Sequence, residues 1–462
     1  MDGARYRSAV NGSILLQRNG LLRALEGTVS MGYGRHRVAA AVISLAVAVF
    51  APRAGAQIRL PAAPLPSPRS LAGLTAPIGA TADPLVEGAR AELRKLRIDE
   101  LLRAQRHLLD ADRAGNPLIR GEILAFAPSE AAIALAANDG LTVIRRQVLT
   151  GLDAELVVLS VPQSRSIHRA LKRLREADPA GTYDYNHVYL GVGEPVGPAA
   201  PLGQAAEPMP PFRPSGPIGL IDSGVDVRHP AFKDATVRIW GCAGVPAPDA
   251  HGTAVASLIV GRDRGFRGAA PGAVLYAADV YCGRADGGAL DVIAGAFGWL
   301  TAEHVPVISV SLVGPNNVTL AAIVSRVIGR GALIVAAVGN DGPSAPPLYP
   351  AAYPGVIGVT GVDARRRVLL EANRGPQVAF AAPGADMAAA AGSGYREVRG
   401  TSFAAPIVAG LLAAYCQEPG PTCTNGAPEA LARQAIGLGS KGRNPVYGYG
   451  LVGEAVRTAA EK

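Results

Sequence analysis

From about residue 217 to residue 460 the chain alternates short apolar runs with helical stretches, and no other feature constrains its fold as strongly. Apolar runs bounded by turn residues predict strands buried on both faces, and helical connections between such strands make them parallel. The sequence therefore predicts an α/β domain over 217–462, with a parallel sheet and helices on both faces. The predicted strands are 218–221, 274–280, 305–312, 332–337 and 356–362. The predicted helices are 253–260, 290–303, 320–330 and 402–415.

The chain before residue 217 divides by composition into four shorter regions. Residues 1–56 hold an N-terminal extension with a targeting signal, and residues 57–119 are predicted to be a linker followed by an amphipathic helix over 85–112. Residues 120–190 alternate short strands with two helical stretches, which predicts a small α+β domain. Residues 191–216 are rich in Pro and Gly, which predicts a second linker.

The targeting signal follows Met31, which is a candidate for the true start of the protein. A basic stretch at 35–37 precedes an apolar run over 38–50 that is too short to span a bilayer. The small residues at 54–56 form an A-x-A-like cleavage site. A buried helix is the alternative, but a Pro- and Ala-rich stretch follows the run directly. We therefore expect a signal peptide and a mature protein that is secreted or periplasmic and not embedded in a membrane.

The composition excludes a wholly disordered chain, since 49% of the residues are hydrophobic and 18% are charged. The formal net charge is +8, but Lys and Arg are spread through linkers and the N-terminal half, without interleaved aromatic residues. We therefore expect no nucleic-acid partner.

Four cysteines form an even set, which in an exported chain is compatible with two disulfides. Cys416 and Cys423 are close enough in sequence to close a small loop, which leaves Cys242 with Cys282. The sequence alone leaves this pairing open. It contains no Cys-x-x-Cys motif and no Cys/His cluster, so no metal site is predicted.

Four polar residues stand where predicted strands end or predicted helices begin, at the edge where parallel sheets bind ligands. Asp222 and Asn340 follow apolar strands, whereas His251 and Ser402 each begin an apolar helix. Each has a structural alternative when taken singly: a turn, a helix cap or a buried histidine. Together they supply a nucleophile, a base, a carboxylate and an amide donor, which is the set required for acyl transfer by a serine.

The segments around these residues resemble the motifs of the subtilisin-like peptidases, or subtilases. They are Ile-Asp-Ser-Gly-Val at 221–225, His-Gly-Thr-Ala-Val-Ala at 251–256, Ala-Ala-Val-Gly-Asn at 336–340 and Gly-Thr-Ser-Phe-Ala-Ala-Pro at 400–406. The chain order Asp, His, Ser is also that of the family. The resemblance covers roughly residues 217–460 and implies a serine endopeptidase with polypeptide substrates and no cofactor required for catalysis. A structural calcium ion has no support in the sequence.

The resemblance implies a role for each of the four residues. Ser402 attacks the scissile carbonyl, His251 carries the proton, and Asp222 orients the imidazole. Asn340 and the backbone amide of Ser402 hold the oxyanion.

The resemblance also implies which residues bind substrate. The strand edge expected to pair with an extended peptide comprises Ser309, Ser311, Leu312, Val313 and Gly314. The pocket for the side chain before the scissile bond, S1, is expected to include Val338, Gly339 and Leu348. Val338 stands where the family often has Ala, and Leu348 where Gly is common. Both narrow the pocket, which predicts a preference for small or medium apolar side chains over large aromatic ones.

The layout of residues 120–190 resembles a subtilase propeptide, which would be a partner of the peptidase domain until self-cleavage within 191–217. A permanent accessory domain is the alternative. For the whole chain, the alternatives are a catalytically idle subtilase-like binding module and another serine hydrolase such as an esterase. The complete set of site residues disfavours the first, and the lack of a Gly-x-Ser-x-Gly motif at Ser402 disfavours the second.

Overall fold

A computed structural model describes residues 84–460, apart from residues 192, 201, 206–214 and 285–286. The described residues belong to one compact unit. The predicted extension, signal peptide and first part of the linker, residues 1–83, lie outside the described residues.

The described part of the chain contains eight α-helices and twenty-one strands. The helices are α1 (Pro84–Ala104), α2 (Glu130–Asn138), α3 (Ile167–Ala177), α4 (Ala250–Val260), α5 (Leu290–Ala302), α6 (Val318–Gly329), α7 (Thr401–Ala413) and α8 (Ala427–Ala432). The first eleven strands are β1 (Leu109–Ala111), β2 (Pro117–Phe126), β3 (Thr142–Leu149), β4 (Ala154–Ser160), β5 (Thr182–Gly191), β6 (Glu194–Ala200), β7 (Leu202–Ala205), β8 (Ile218–Asp222), β9 (Thr236–Gly241), β10 (Arg262–Asp263) and β11 (Phe266–Arg267). The other ten are β12 (Val274–Asp279), β13 (Gly288–Ala289), β14 (Val307–Val310), β15 (Leu312–Val313), β16 (Leu333–Ala337), β17 (Ile357–Val362), β18 (Val378–Pro383), β19 (Met387–Ala391), β20 (Gly394–Arg399) and β21 (Thr458–Ala460).

A seven-stranded parallel sheet organises the C-terminal domain, in the order β18-β17-β16-β14-β8-β12-β9. This confirms the predicted α/β architecture. The two edge strands, β9 and β18, were not predicted. Strand β9 has no buried residue and so lacks the apolar pattern of the five inner strands. Strand β18 is fully buried, but half of its residues are Ala, which has a low strand propensity.

Two hydrophobic cores lie on opposite faces of this sheet. Leu220 packs in the core that contains α4 and α7, whereas its neighbour Ile221 packs in the core that contains α5 and α6. Because successive side chains of a strand point to opposite faces, each inner strand contributes to both cores. Helices therefore cover both faces of the sheet, as predicted.

An antiparallel sheet of β5, β2, β4 and β3 forms the N-terminal α+β domain, with α2 and α3 packed on one face. The other face packs on α5 and α6, and Leu124, Leu156 and Phe297 belong to one continuous core. Helix α1 ends at Ala104, earlier than its pattern predicts, and the short strand β1 follows. The small domain is therefore joined to the C-terminal domain by apolar burial.

The described residues of the Pro- and Gly-rich region 191–216 form strands over 194–200 and 202–205, although the composition predicts a linker. Strand β5 extends through Gly191, β6 pairs antiparallel with β20, and β7 pairs antiparallel with β21. These strands form because distant strands offer them free edges, a tertiary effect that local composition cannot reveal.

The structure joins Cys242 to Cys282 and Cys416 to Cys423, the pairing considered from the sequence. No helix among the described residues has the length and apolar character needed to cross a membrane.

Candidate active site

Asp222 is the last residue of β8, at the carboxyl end of an inner strand. The residue is 2% exposed, so its carboxylate is shielded from bulk water. Its Oδ1 atom accepts a hydrogen bond from the backbone N–H of Ser223 at 2.6 Å and lies 2.8 Å from Nδ1 of His251. One carboxylate oxygen therefore holds both the turn after β8 and the imidazole ring.

His251 is the second residue of α4, whose first turn is capped by the carboxylate of Asp249. That carboxylate accepts the backbone N–H of His251 at 2.8 Å. Gly252 allows the helix to start close to β8, because a Cβ atom there would come within 2.1 Å of the Ser223 carbonyl oxygen. Nε2 of His251 lies 3.1 Å from Oγ of Ser402, so the ring bridges the carboxylate and the hydroxyl.

Ser402 lies in the first turn of α7, which begins after Gly400 at a φ of 145°. The residue is 0% exposed, and its hydroxyl lies near the positive end of the helix dipole. Oγ of Ser311 donates to the Ser402 carbonyl oxygen at 3.1 Å. This bond fixes the start of α7 against the strand expected to bind substrate.

Asn340 follows β16 and contacts the start of α7. Its Oδ1 atom accepts the backbone N–H of Thr401 at 3.1 Å, and the Gly339 N–H donates to Oγ1 of Thr401 at 3.3 Å. The two bonds hold the Asn340 turn next to Ser402. Oδ1 is the acceptor end of the amide, so Nδ2 is the end that can donate to a bound oxygen.

The expected substrate edge is occupied by the chain itself. Leu312 and Val313 of β15 are antiparallel partners of Gly191 and Leu190 in β5. Gly314 packs against the ring of Tyr189, since a Cβ atom there would come within 2.5 Å of it. The predicted edge therefore binds an extended segment, which is the N-terminal domain's own last strand.

Two of the predicted substrate-binding residues, Ser309 and Val338, have buried side chains away from the substrate edge. Ser309 is 0% exposed within β14, which has β8 and β16 on its two sides, so it is not part of the free edge. Val338 is also 0% exposed and packs in the core around α5 and α6. Gly339 and Leu348 do contact each other, because a Cβ atom on Gly339 would lie 2.5 Å from Cδ1 of Leu348.

The other side of this cleft is formed by residues that the sequence did not single out. Strand β13 pairs with β5 opposite β15, with Gly288 beside Tyr189. Further along, Gly193 faces the nucleophile, since a Cβ atom there would come within 2.6 Å of Oγ of Ser402. Glycines at 191 and 193 are consistent with a backbone that passes close to other atoms, but a Gly-rich stretch is also typical of a linker.

Asp279 is a buried acid next to the site that was not predicted. It is 3% exposed at the end of β12, where it is the parallel partner of Asp222. Burial raises the pKa of its carboxyl, and the charges of Asp222 and Asp249 add to the rise. The backbone N–H groups of Tyr281 and Cys282 oppose it by donating to Oδ1 at 3.0 and 2.8 Å. The site is thus locally acidic.

Comparison with known proteins identifies the family of the C-terminal domain. Residues 217–450 match the subtilase family. The chain is 34% identical over 259 residues to subtilisin from Bacillus pumilus, covering 53% of this chain and 90% of that protein. It is 33% identical over 259 residues to subtilisin E from Bacillus subtilis (strain 168), covering 53% of this chain and 65% of that protein.

Fervidolysin from Fervidobacterium pennivorans, a keratinolytic enzyme related to subtilisin, has a similar fold. Its crystal structure aligns with a TM-score of 0.61 and 20% identity, over 75% of this chain and 62% of that one. Fold and matched region together define a serine-type peptidase. The chain belongs to the subtilase family.

Proposed function

We propose that Asp222, His251 and Ser402 are the catalytic triad of a secreted endopeptidase. Ser402 Oγ attacks the carbonyl carbon of a peptide bond while Nε2 of His251 takes the hydroxyl proton. His251 then gives that proton to the leaving amine, and the acyl group remains as an ester on Ser402. A water molecule loses a proton to His251 and attacks this ester, and His251 gives that proton to Oγ of Ser402 as the acid leaves. Asp222 orients the ring and stabilises its positive charge.

One observation carries this proposal: the carboxylate, ring and hydroxyl form a continuous series of contacts. The distances are 2.8 Å from Asp222 to His251 and 3.1 Å from His251 to Ser402. The last two residues are 151 positions apart, so the fold has to bring them together. A serine needs such a base because its hydroxyl is a weak nucleophile at neutral pH.

Asn340 is proposed to stabilise the oxyanion together with the backbone amide of Ser402. The bond from Thr401 N–H to Oδ1 supports this role, because it orients the side-chain amide and leaves Nδ2 as the donor end. A donor positioned in advance stabilises charge that develops only in the transition state.

The N-terminal domain is proposed to be a propeptide that occupies the active site. Besides the shared apolar core, it caps two helices of the peptidase domain. Asp184 accepts the N–H of Val318 at 2.8 Å, and Asn186 accepts the N–H of Asp291 at 3.1 Å. A carboxylate at the start of α6 is also favoured by the helix dipole. Its last strand, β5, lies between β13 and β15, as a substrate strand would.

Self-cleavage is proposed at the bond between Val192 and Gly193. Gly191 is the partner of Leu312 on one side of this bond, and Gly193 lies against Ser402 on the other. Val192 itself lies outside the described residues. As a medium-sized apolar residue before the cut, it agrees with the S1 preference expected from Leu348.

Export is proposed from the signal sequence after Met31, and the two cystine pairs support it, because disulfides persist in oxidising compartments. The mature protein would act outside the cell or in the periplasm.

Turnover of an unfolded protein substrate tests the proposed activity. We expect the processed wild-type enzyme to cut internal peptide bonds, and we expect Ser402→Ala to leave no activity above background. Ser440→Ala, which changes an exposed serine, should match the wild type. An inert wild type that folds normally would instead favour the idle binding module.

A further inference from the structure

Strand β6 begins directly after the proposed cut and pairs with the strand that leads to the nucleophile. Glu194 is the antiparallel partner of Arg399, and Val196 is the partner of Glu397. The sheet order is β19-β20-β6, so β6 covers the otherwise free edge of β20. This position is where the leaving part of a substrate would run, because β20 ends one residue before Gly400 and the helix of Ser402.

Strand β7 holds the far end of the same segment. Leu202 and Ala205 pair with Ala460 and Thr458 of β21. Residues 193–200 and 202–205, here called the strap, are therefore held at Gly193, along β20 and along β21. All three contacts are with the peptidase domain.

We propose that the strap stays on β20 after the cut and occupies the half of the cleft that binds the leaving part of a substrate. This rests on the proposed function, since it requires the cut. Hydrolysis adds water across the bond, leaving a carboxylate on Val192 and an amino group on Gly193. The strap keeps its connection through residues 206–217 to β8, whereas β5 loses its connection to β6.

Tethering explains why the strap remains bound. A segment on a short linker faces its site at an effective concentration of about 1 mM. Even an intrinsic dissociation constant of about 0.1 mM would then keep the strap bound in roughly nine molecules of ten.

The sequence of the strap limits how tightly it binds. Glu194 and Val196 lie on the same side of β6, so their N–H groups are the donors to β20 nearest the cut, whereas Pro198, further along, has no N–H group. The strap therefore binds β20 more weakly than a strand without proline would, and a substrate strand competes with it for β20. Peptides with a long leaving part must displace it, whereas peptides with a single leaving residue compete far less.

Replacing Val196 tests the strap. Val196→Pro removes one of the two donors, and Val196→Ala keeps it as the matched control. In the processed enzyme, the β20 amides that donate to β6, rather than those that donate to β19, should exchange with deuterium at least tenfold faster in Val196→Pro than in the wild type or Val196→Ala. The ratio of kcat/KM for a six-residue leaving part to kcat/KM for a one-residue leaving part should rise about tenfold in Val196→Pro, a difference of about 1.4 kcal/mol.

The possible results of these experiments distinguish a failure of the strap proposal from a failure of the proposed function. A wild-type chain that is never cut contradicts the proposed function and, with it, the strap. A chain that is cut and active, but whose β20 amides exchange as fast as those of Val196→Pro, overturns the strap alone. An unchanged substrate ratio in Val196→Pro also overturns it.

Discussion

Asp279 lies beside Asp222 as its partner on the neighbouring parallel strand, so two buried carboxyl groups end adjacent strands at the active site. Burial and the nearby acids raise the pKa of Asp279 above its usual value. A buried acid whose folded pKa is raised makes the fold less stable as pH increases from about 3.9, the unfolded value, through the folded pKa.

Asp279→Asn should therefore gain stability relative to the wild type as pH rises from about 4 to 7, because asparagine does not ionise. The measurement is the free energy of denaturant unfolding of both chains in a Ser402→Ala background, which prevents self-digestion. A stability difference between Asp279→Asn and the wild type that does not change with pH would show that ionisation of Asp279 does not oppose folding.

Removing the proposed oxyanion donor should slow the chemical step more than it weakens binding. Asn340→Ala is expected to lower kcat by about 100- to 1,000-fold with little change in KM, the loss known for the corresponding donor of subtilisin. Asn340→Asp keeps an acceptor for Thr401 N–H but loses the donor, so it should be slow as well. Normal kcat in Asn340→Asp would mean that the residue acts only through its bond to Thr401.

Enlarging the proposed S1 pocket should change the preferred substrate. We expect the wild type to cut after Ala or Leu more readily than after Phe. Leu348→Gly should raise kcat/KM for Phe relative to Leu by about tenfold or more. Leu370→Gly, at a residue that is 65% exposed, is the matched control. A wild-type preference for Phe would contradict the assignment of Leu348 to this pocket.

A side chain at position 193 should hinder self-cleavage. Gly193 has a φ of 106°, and a Cβ atom there would lie 2.6 Å from Oγ of Ser402 and 2.9 Å from the Arg399 carbonyl oxygen. Gly193→Ala should slow the appearance of the processed chain at least tenfold. Gly437→Ala, where a Cβ atom meets no neighbour within 4 Å, should process normally. Equal rates for the two variants would place the cut elsewhere.

The inner part of the fold was predictable because its pattern is local. The five inner strands have apolar runs, Asp222 ends one of them, and His251 and Ser402 begin apolar helices, each within a motif of the family. The distances between these residues depend on the order of the strands in the sheet. That order cannot be read from the sequence.

Features that depend on distant partners were not predictable. Strands β6 and β7 form because β20 and β21 have free edges, whereas their Pro and Gly content indicates a linker. His229 lies in a turn sequence, which favours a solvated side chain. In the structure it is 3% exposed, and its Nε2 atom lies 2.7 Å from the carbonyl oxygen of Gly394. Ser309 has the right sequence position for the substrate edge, but its strand is flanked on both sides.

The mass and N-terminal sequence of the expressed chain show whether Ser402 is the nucleophile in a cleft filled by the chain's own segment. We expect the wild type to yield a product that begins at Gly193, and Ser402→Ala to remain joined across the bond before it. A wild type that stays uncut, or a Ser402→Ala chain cut at the same bond at the same rate, would show that Ser402 does not make this cut.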